Sequence, residues 1–214
     1  MKEMFFFYFL LVITSIPSLA QAQGENPDHY CGIIKGFHHG PFDYLERINR
    51  NHDLHLVEVV HFTRDVEKLT ADPQYIGSNL NYTLQAWPNH HRALASLAKF
   101  AIREKTAGRL PGMKYPVECY FDRAIRWQAK DSYVRSIYGS YLSKVGRSSN
   151  AIEQLEIAVR LQSDNATAHY NLGLLYFDKS NYDKSRFHAE RAYELDFPLP
   201  GLRNKLIRAG KWKK

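Results

Sequence analysis

This 214-residue chain has one long apolar run, two cysteines and no glycine-rich loop of the kind that cradles phosphate. It also lacks the dinucleotide-binding glycines, the nucleophile elbow and the HExxH zinc pair. These absences remove the common nucleotide, hydrolase and metalloprotease chemistries. The expectation is no cofactor, no metal and no catalysis. Glycine (12) and proline (9) are not enriched, which excludes a collagen-like or low-complexity chain. Two cysteines far apart make neither a CxxC redox pair nor a zinc-ligand pattern. With 44% hydrophobic and 24% charged residues, the chain suits one globular body with a core.

The apolar run, residues 5–13 (FFFYFLLVI), follows Lys2 and is broken by Pro17. Ala20-Gln21-Ala22 supplies a small-x-small cleavage site. The run is shorter than the roughly 20 residues that cross a bilayer. A signal peptide over 1–22 is expected, cut after Ala22 or Ala20; the alternative is an uncleaved anchor. The mature chain would be periplasmic or secreted. In an exported chain an even cysteine count favours one disulfide, Cys31 to Cys119, closing 119 − 31 = 88 residues. Two separate buried thiols are the alternative. Net charge is +7, and Arg203, Lys205, Arg208, Lys211, Lys213 and Lys214 gather at the end without an acid among them. Such a tail suits anionic lipid or glycan, or simply a solvated terminus; nucleic acid is not expected in that compartment.

The chain repeats itself. Residues 132–165 and 166–199 align over 34 residues. Gly139 matches Gly173, Tyr138 matches Leu172, Leu142 matches Tyr176, Ala158 matches Ala192 and Leu161 matches Leu195. Small residues at Gly139, Gly173, Ala158 and Ala192 allow two helices to cross closely, and larger ones fill the space between them. Gly146 and Ser180-Asn181 mark the turns. The stretch YNLGLLYFDKSNYDKSRFHAERAYEL resembles the tetratricopeptide-repeat signature, departing from it at Ser185 and Ala189.

A third unit is expected upstream. Stepping back 34 residues from Ala158 reaches Ala124, so 117–128 reads as a second helix of a pair. Its first helix reads as 91–104, with an inserted loop at 105–116 rich in glycine and proline. Before that, 78–87 reads as a helix ended by Pro88, with Asn89 capping the next. Residues 63–69 read as a short helix with Thr63 as N-cap. Residues 54–62 fit helix or strand, and repeat context favours helix. Residues 24–51 read as irregular. A capping helix is expected at 201–209. The expected layout is thus a signal peptide (1–22), an irregular segment with short helices (23–77), a solenoid (78–199, with units 91–128, 132–165 and 166–199) and a cap with a basic tail (200–214). The fold class is all-α: a short right-handed tetratricopeptide helical-hairpin solenoid of about three repeats.

The whole also resembles small exported bacterial tetratricopeptide proteins. The pieces that carry this are Cys31-Gly32, Gly40-Pro41-Phe42-Asp43-Tyr44, Val57-Glu58, His61-Phe62-Thr63, Tyr82-Thr83-Leu84, Pro88-Asn89-His90 and 198–202. That resemblance implies export and fold, not a reaction. The repeat family implies a concave face lined by helix A positions 2, 5, 6, 9, 12 and 13. Here these are Arg92, Ala95, Ser96, Lys99, Ile102 and Arg103; then Tyr133, Ser136, Ile137, Ser140, Ser143 and Lys144; then Thr167, Tyr170, Asn171, Leu174, Phe177 and Asp178. The partner implied is a protein segment with acidic groups, extended or helical, from the cell envelope.

Ten histidines are the unusual feature. His52, His55 and His61, with His38-His39 and His90-His91, leave a metal-dependent enzyme as a lesser alternative, although the spacing matches no zinc signature. Asp43 and Glu58 are candidate acid–base groups without an identifiable partner. Asn81-Tyr82-Thr83 and Asn165-Ala166-Thr167 match the glycosylation acceptor, which matters only in a eukaryotic secretory route.

Overall fold

The computed structural model describes residues 30–34 and 39–212; the expected signal peptide, His38, Lys213 and Lys214 lie outside them. The described residues form helices and turns and no strand. A 3-10 turn at Tyr44–Glu46 precedes α1 (Asn51–Val60), α2 (Arg64–Lys68), α3 (Pro73–Ala86), α4 (His91–Arg103) and α5 (Val117–Trp127). Then come α6 (Ser132–Lys144), α7 (Ser148–Leu161), α8 (Ala166–Asp178), α9 (Tyr182–Glu194) and α10 (Gly201–Arg208).

The 34-residue period reappears as geometry. Asp131 and Asn165, 34 apart, each cap a helix: Asp131 accepts from the Tyr133 and Val134 amides, Asn165 from that of Ala168. Gly146 and Ser180, also 34 apart, both take left-handed backbone at φ 81° and 59° in the α6–α7 and α8–α9 turns. A Cβ on Gly139 would lie 2.6 Å from the Leu155 side chain and 3.1 Å from the Ala151 carbonyl oxygen. That closeness is what lets α6 and α7 pack as an antiparallel pair. Ser185 departs from the signature with a reason: fully buried, it donates its hydroxyl to the Gly173 carbonyl at 2.8 Å.

One apolar core runs from Phe62 and Val66 through α3–α8 to Leu175 and Tyr176. Neighbouring hairpins share it, as a stacked array requires. The inserted loop packs rather than projects. Leu110 and Met113 join the core, and a Cβ on Gly77 of α3 would sit 1.6 Å from the Pro111 carbonyl oxygen. The disulfide is formed: Cys31 bonds Cys119 on α5, with Cα atoms 4.9 Å apart. Arg123 donates to the Cys31 and Ile33 carbonyls, and Arg126 to that of Gly32.

Two helix starts differ from the sequence reading. α3 begins at Pro73, five residues before 78, because Asp72 caps the Gln74 and Tyr75 amides and Pro73 occupies the first turn. The N-cap of α4 is His90, whose Nδ1 accepts from the Ala93 amide, and not Asn89, which has other partners. Residues 54–62 are helical within α1 and the turn after it.

A buried histidine pair ties α8 to α9. His169 Nε2 lies 3.2 Å from the Ser163 carbonyl, which can only accept, so in the neutral ring Nδ1 of His169 is an acceptor. His188 Nδ1 therefore donates to it across 2.9 Å. Burial, then the neighbouring His169, push His188 down to about 4. A histidine depressed in the fold keeps stability above its unfolded value near 6.5 and loses it on acidification. Between about pH 6.5 and about 4 this group should remove up to about 1.4 kcal/mol per pH unit. Urea unfolding at pH 7 and pH 5 should show a smaller acid loss for His188→Gln than for wild type. Equal losses would dismiss the pair as the source.

Candidate functional site

The three first helices of the repeat units, α4, α6 and α8, lie side by side, and their shared face is the expected groove. Its centre is open. A hollow of about 330 Å³ is lined by Ala95, Ala98, Lys99 and Ile102 of α4, by Ser136, Ile137, Ser140, Tyr141 and Lys144 of α6, and by Thr167. The floor is alanine and isoleucine; hydroxyls line the middle. Lys99 and Lys144 are exposed, and neither has an ion-pair partner among the described residues. Asn171 of α8 donates to Ser140 Oγ at 2.8 Å, joining the second and third units across the floor.

Both ends of the face are covered by the chain itself. At one end α2 lies against α4. Arg92 pairs with Glu67 at 2.6 Å and Glu58 at 3.0 Å, Ser96 donates to the Glu67 carbonyl, and Arg103 donates to that of Leu69 at 2.7 Å. The hydrogen bond from Arg92 holds Glu67 below the usual carboxylate range, with Lys99 adding to the field. At the other end Tyr170, Leu174 and Phe177 pack into a cluster with Leu202 and Leu206 of α10. Tyr170 also stacks on Phe197 at 4.2 Å. The structure thus brings Lys99, Ser140 and Lys144 together around open space. Arg92, Arg103, Tyr170, Leu174 and Phe177 are turned to neighbouring helices. Tyr133 is exposed beside the His91 ring, 5.2 Å away.

A polar network missed at the sequence level joins the N-terminal segment to the repeats. Asn89 sits at its centre, fully buried. It donates to Asp43 at 2.7 Å and Asp131 at 2.9 Å, and accepts from the Tyr44 amide. Asp131 also takes His91 Nε2 at 2.8 Å, and Gln128 donates to Asp43. Burial pushes the Asp131 carboxyl up, but His91 and Asn89 outweigh it and leave it below its ordinary value. Glu58 receives His90 Nε2 at 3.0 Å. Burial holds His90 below its ordinary value against the pull of Glu58, so the ring stays neutral with both nitrogens engaged. Asp43 and Glu58 therefore have structural partners. The only hint in the sequence was the cluster Pro88-Asn89-His90-His91 after a helix.

Other candidates find their places as well. His61 stacks on Tyr82 at 3.7 Å and meets Asn79, and no group of three metal-ligating side chains occurs among the described residues. Asn81 accepts from the Tyr120 hydroxyl, and Asn165 is a buried cap, so both acceptor motifs are committed to the fold. In the basic tail, Arg203 lies 4.2 Å over Tyr193 and Lys205 is 3.4 Å from Asp178. No described helix is long and apolar enough to cross a membrane.

Comparison with known proteins agrees with this geometry. A TPR repeat model matches residues 144–180, and a tetratricopeptide repeat model matches 166–197. Among solved structures, the crystal structure of MamA protein superposes with a TM-score of 0.52 at 18% identity, over 73% of this chain and 80% of that one. A second, MamA MSR-1, gives 0.42 at 14% identity over 71% and 97%. Comparison with curated proteins finds no match. Hairpins of this kind are protein-interaction scaffolds. The two models together span α7, α8 and α9, so this part of the chain carries tetratricopeptide repeats, and the solved structure shares the all-helical fold.

Proposed function

We propose that the protein is a non-catalytic interaction module of the cell envelope, exported to the periplasm or beyond, that holds an acidic segment of a partner protein in its central groove. The observation that carries this reading is the pairing of an apolar floor (Ala95, Ala98, Ile102, Ile137) with two unpaired lysines at its rim. An occupant would bury apolar side chains on that floor and present carboxylates to Lys99 and Lys144. Apolar burial would supply the affinity, and the lysines would supply selectivity and speed of encounter. The buried disulfide accords with an oxidising compartment.

Affinity capture from the envelope fraction, read by mass spectrometry, tests it. The Lys99→Glu/Lys144→Glu variant should keep the wild-type circular dichroism and lose at least about tenfold of the specific partner, since like charges replace attraction. Equal recovery by both proteins would overturn the groove reading.

A further inference from the structure

Away from the groove, residues 39–42, α1 and α3 enclose a second hollow of about 230 Å³. Phe42, Leu56, Val57, Val60 and Tyr82 make its wall. Leu56 and Val60 are 50% and 56% exposed, a high value for aliphatic side chains on one short helix. A concave, mostly apolar hollow with few polar groups is the usual form of a small-ligand site.

The polar group that sets its chemistry is His61, and its protonation pattern follows from its partners. The Tyr75 carbonyl can only accept, so the Asn79 atom 2.9 Å from it is the amide nitrogen, donating. Asn79 Oδ1 therefore faces His61 Nδ1 at 2.9 Å, and Oδ1 only accepts. In the neutral ring the proton then sits on Nδ1, and Nε2 is left as a bare acceptor. No hydrogen bond to Nε2 occurs among the described residues, although His61 lines the hollow. The ring cannot easily turn away: it stacks on Tyr82 at 3.7 Å with the planes 21° apart. Asn79 itself is 9% exposed, so the relay belongs to the packed body of α3.

We propose that this hollow binds an aryl hydroxyl, a phenol-class group whose ring lies against Phe42, Tyr82 and the aliphatic wall while its O–H donates to His61 Nε2. The wall suits a flat ring, and the Nε2 acceptor of His61 requires a donor on it; His39 and Asp53 are the other charged or imidazole groups of the lining. An anion has no proton to offer Nε2 and would meet Asp53 on the rim. A cation would have to displace Arg50, which already pairs with Asp53 at 3.5 Å.

Titration with 4-methylphenol and with toluene, followed by methyl and imidazole NMR signals, tests the assignment. The phenol should shift the Leu56, Val57 and Val60 methyl signals saturably. Toluene, which lacks only the donor, should bind about tenfold more weakly, the scale of one hydrogen bond. His61→Phe keeps the stack on Tyr82 and should abolish the preference. Val60→Trp, at the exposed mouth, should block both compounds without touching the relay. N-Acetyltyrosinamide separates the sources: binding as tight as that of 4-methylphenol points to a tyrosine carried by a polypeptide, and rejection points to a free phenol. Equal binding of toluene and 4-methylphenol to wild type, no saturable binding of the phenol, or a preference that survives His61→Phe would each overturn the proposal.

Discussion

The double variant Cys31→Ala/Cys119→Ala should unfold at a much lower temperature than the native chain. The bond closes a loop with a sequence separation of 88, and the loop-entropy model assigns such a closure about 4 kcal/mol. For a folded body of this size that corresponds to a fall of about 8–16 °C in Tm. Both half-cystines are buried, so the bond crosses packed structure. Its removal leaves residues 30–34 to the Arg123 and Arg126 hydrogen bonds to three carbonyls and to the packing of the buried Ile34. Loss should be local at first: amide exchange would rise around Cys31 and in α5 before it rises in α6–α9, which share no residue with the closure's ends. Calorimetry and hydrogen exchange of oxidised and double-variant protein measure both effects. A Tm change under about 2 °C would show that the hydrogen bonds and packing secure the segment without the bond.

The solenoid was legible because its units repeat one solution. A spacing of 34 residues identified Gly139 with Gly173 and Gly146 with Ser180 before any coordinate did, since crossing helices and left-handed turns each demand a particular residue type. Legibility faded where the chain stops repeating. Asp72-Pro73 is a helix start by residue chemistry, yet it falls before the apolar pattern that had marked α3. The Asn89 network was illegible for a different reason: its partners Asp43 and Asp131 lie 46 and 42 residues away, and no local period relates them. For the groove, a positional rule treated all three units as interior ones. The outer units have other neighbours, so α2 claims Arg92 and Arg103 while α10 covers Tyr170, Leu174 and Phe177. Lys99, on the same α4, and Lys144 of α6 are left without an ion-pair partner among the described residues.

Asp131→Ala should be the most damaging single side-chain change in that network, lowering stability by about 3–4 kcal/mol. The carboxylate is 1% exposed and has three duties at once. It caps α6 through the Tyr133 and Val134 amides, takes His91 Nε2, and accepts from Asn89. Truncation leaves a buried amide of Asn89 and an imidazole of α4 without an acceptor, and unmet buried donors cost more than a met bond contributes. Because Asn89 also holds the Tyr44 amide and Asp43, the damage should reach the N-terminal turn and the half-buried Phe42 beside it. Asp131→Asn separates the causes. Its carbonyl can still cap α6, but its amide opposes the Asn89 amide, so a loss of about 1–2 kcal/mol is expected. Urea unfolding of the three proteins at pH 7 gives the ranking. If asparagine is as stable as wild type and only alanine is damaging, α6 capping is the only contribution, and the link between the N-terminal segment and the repeats must rest on Gln128 and the apolar contacts of Tyr44 and Trp87 instead.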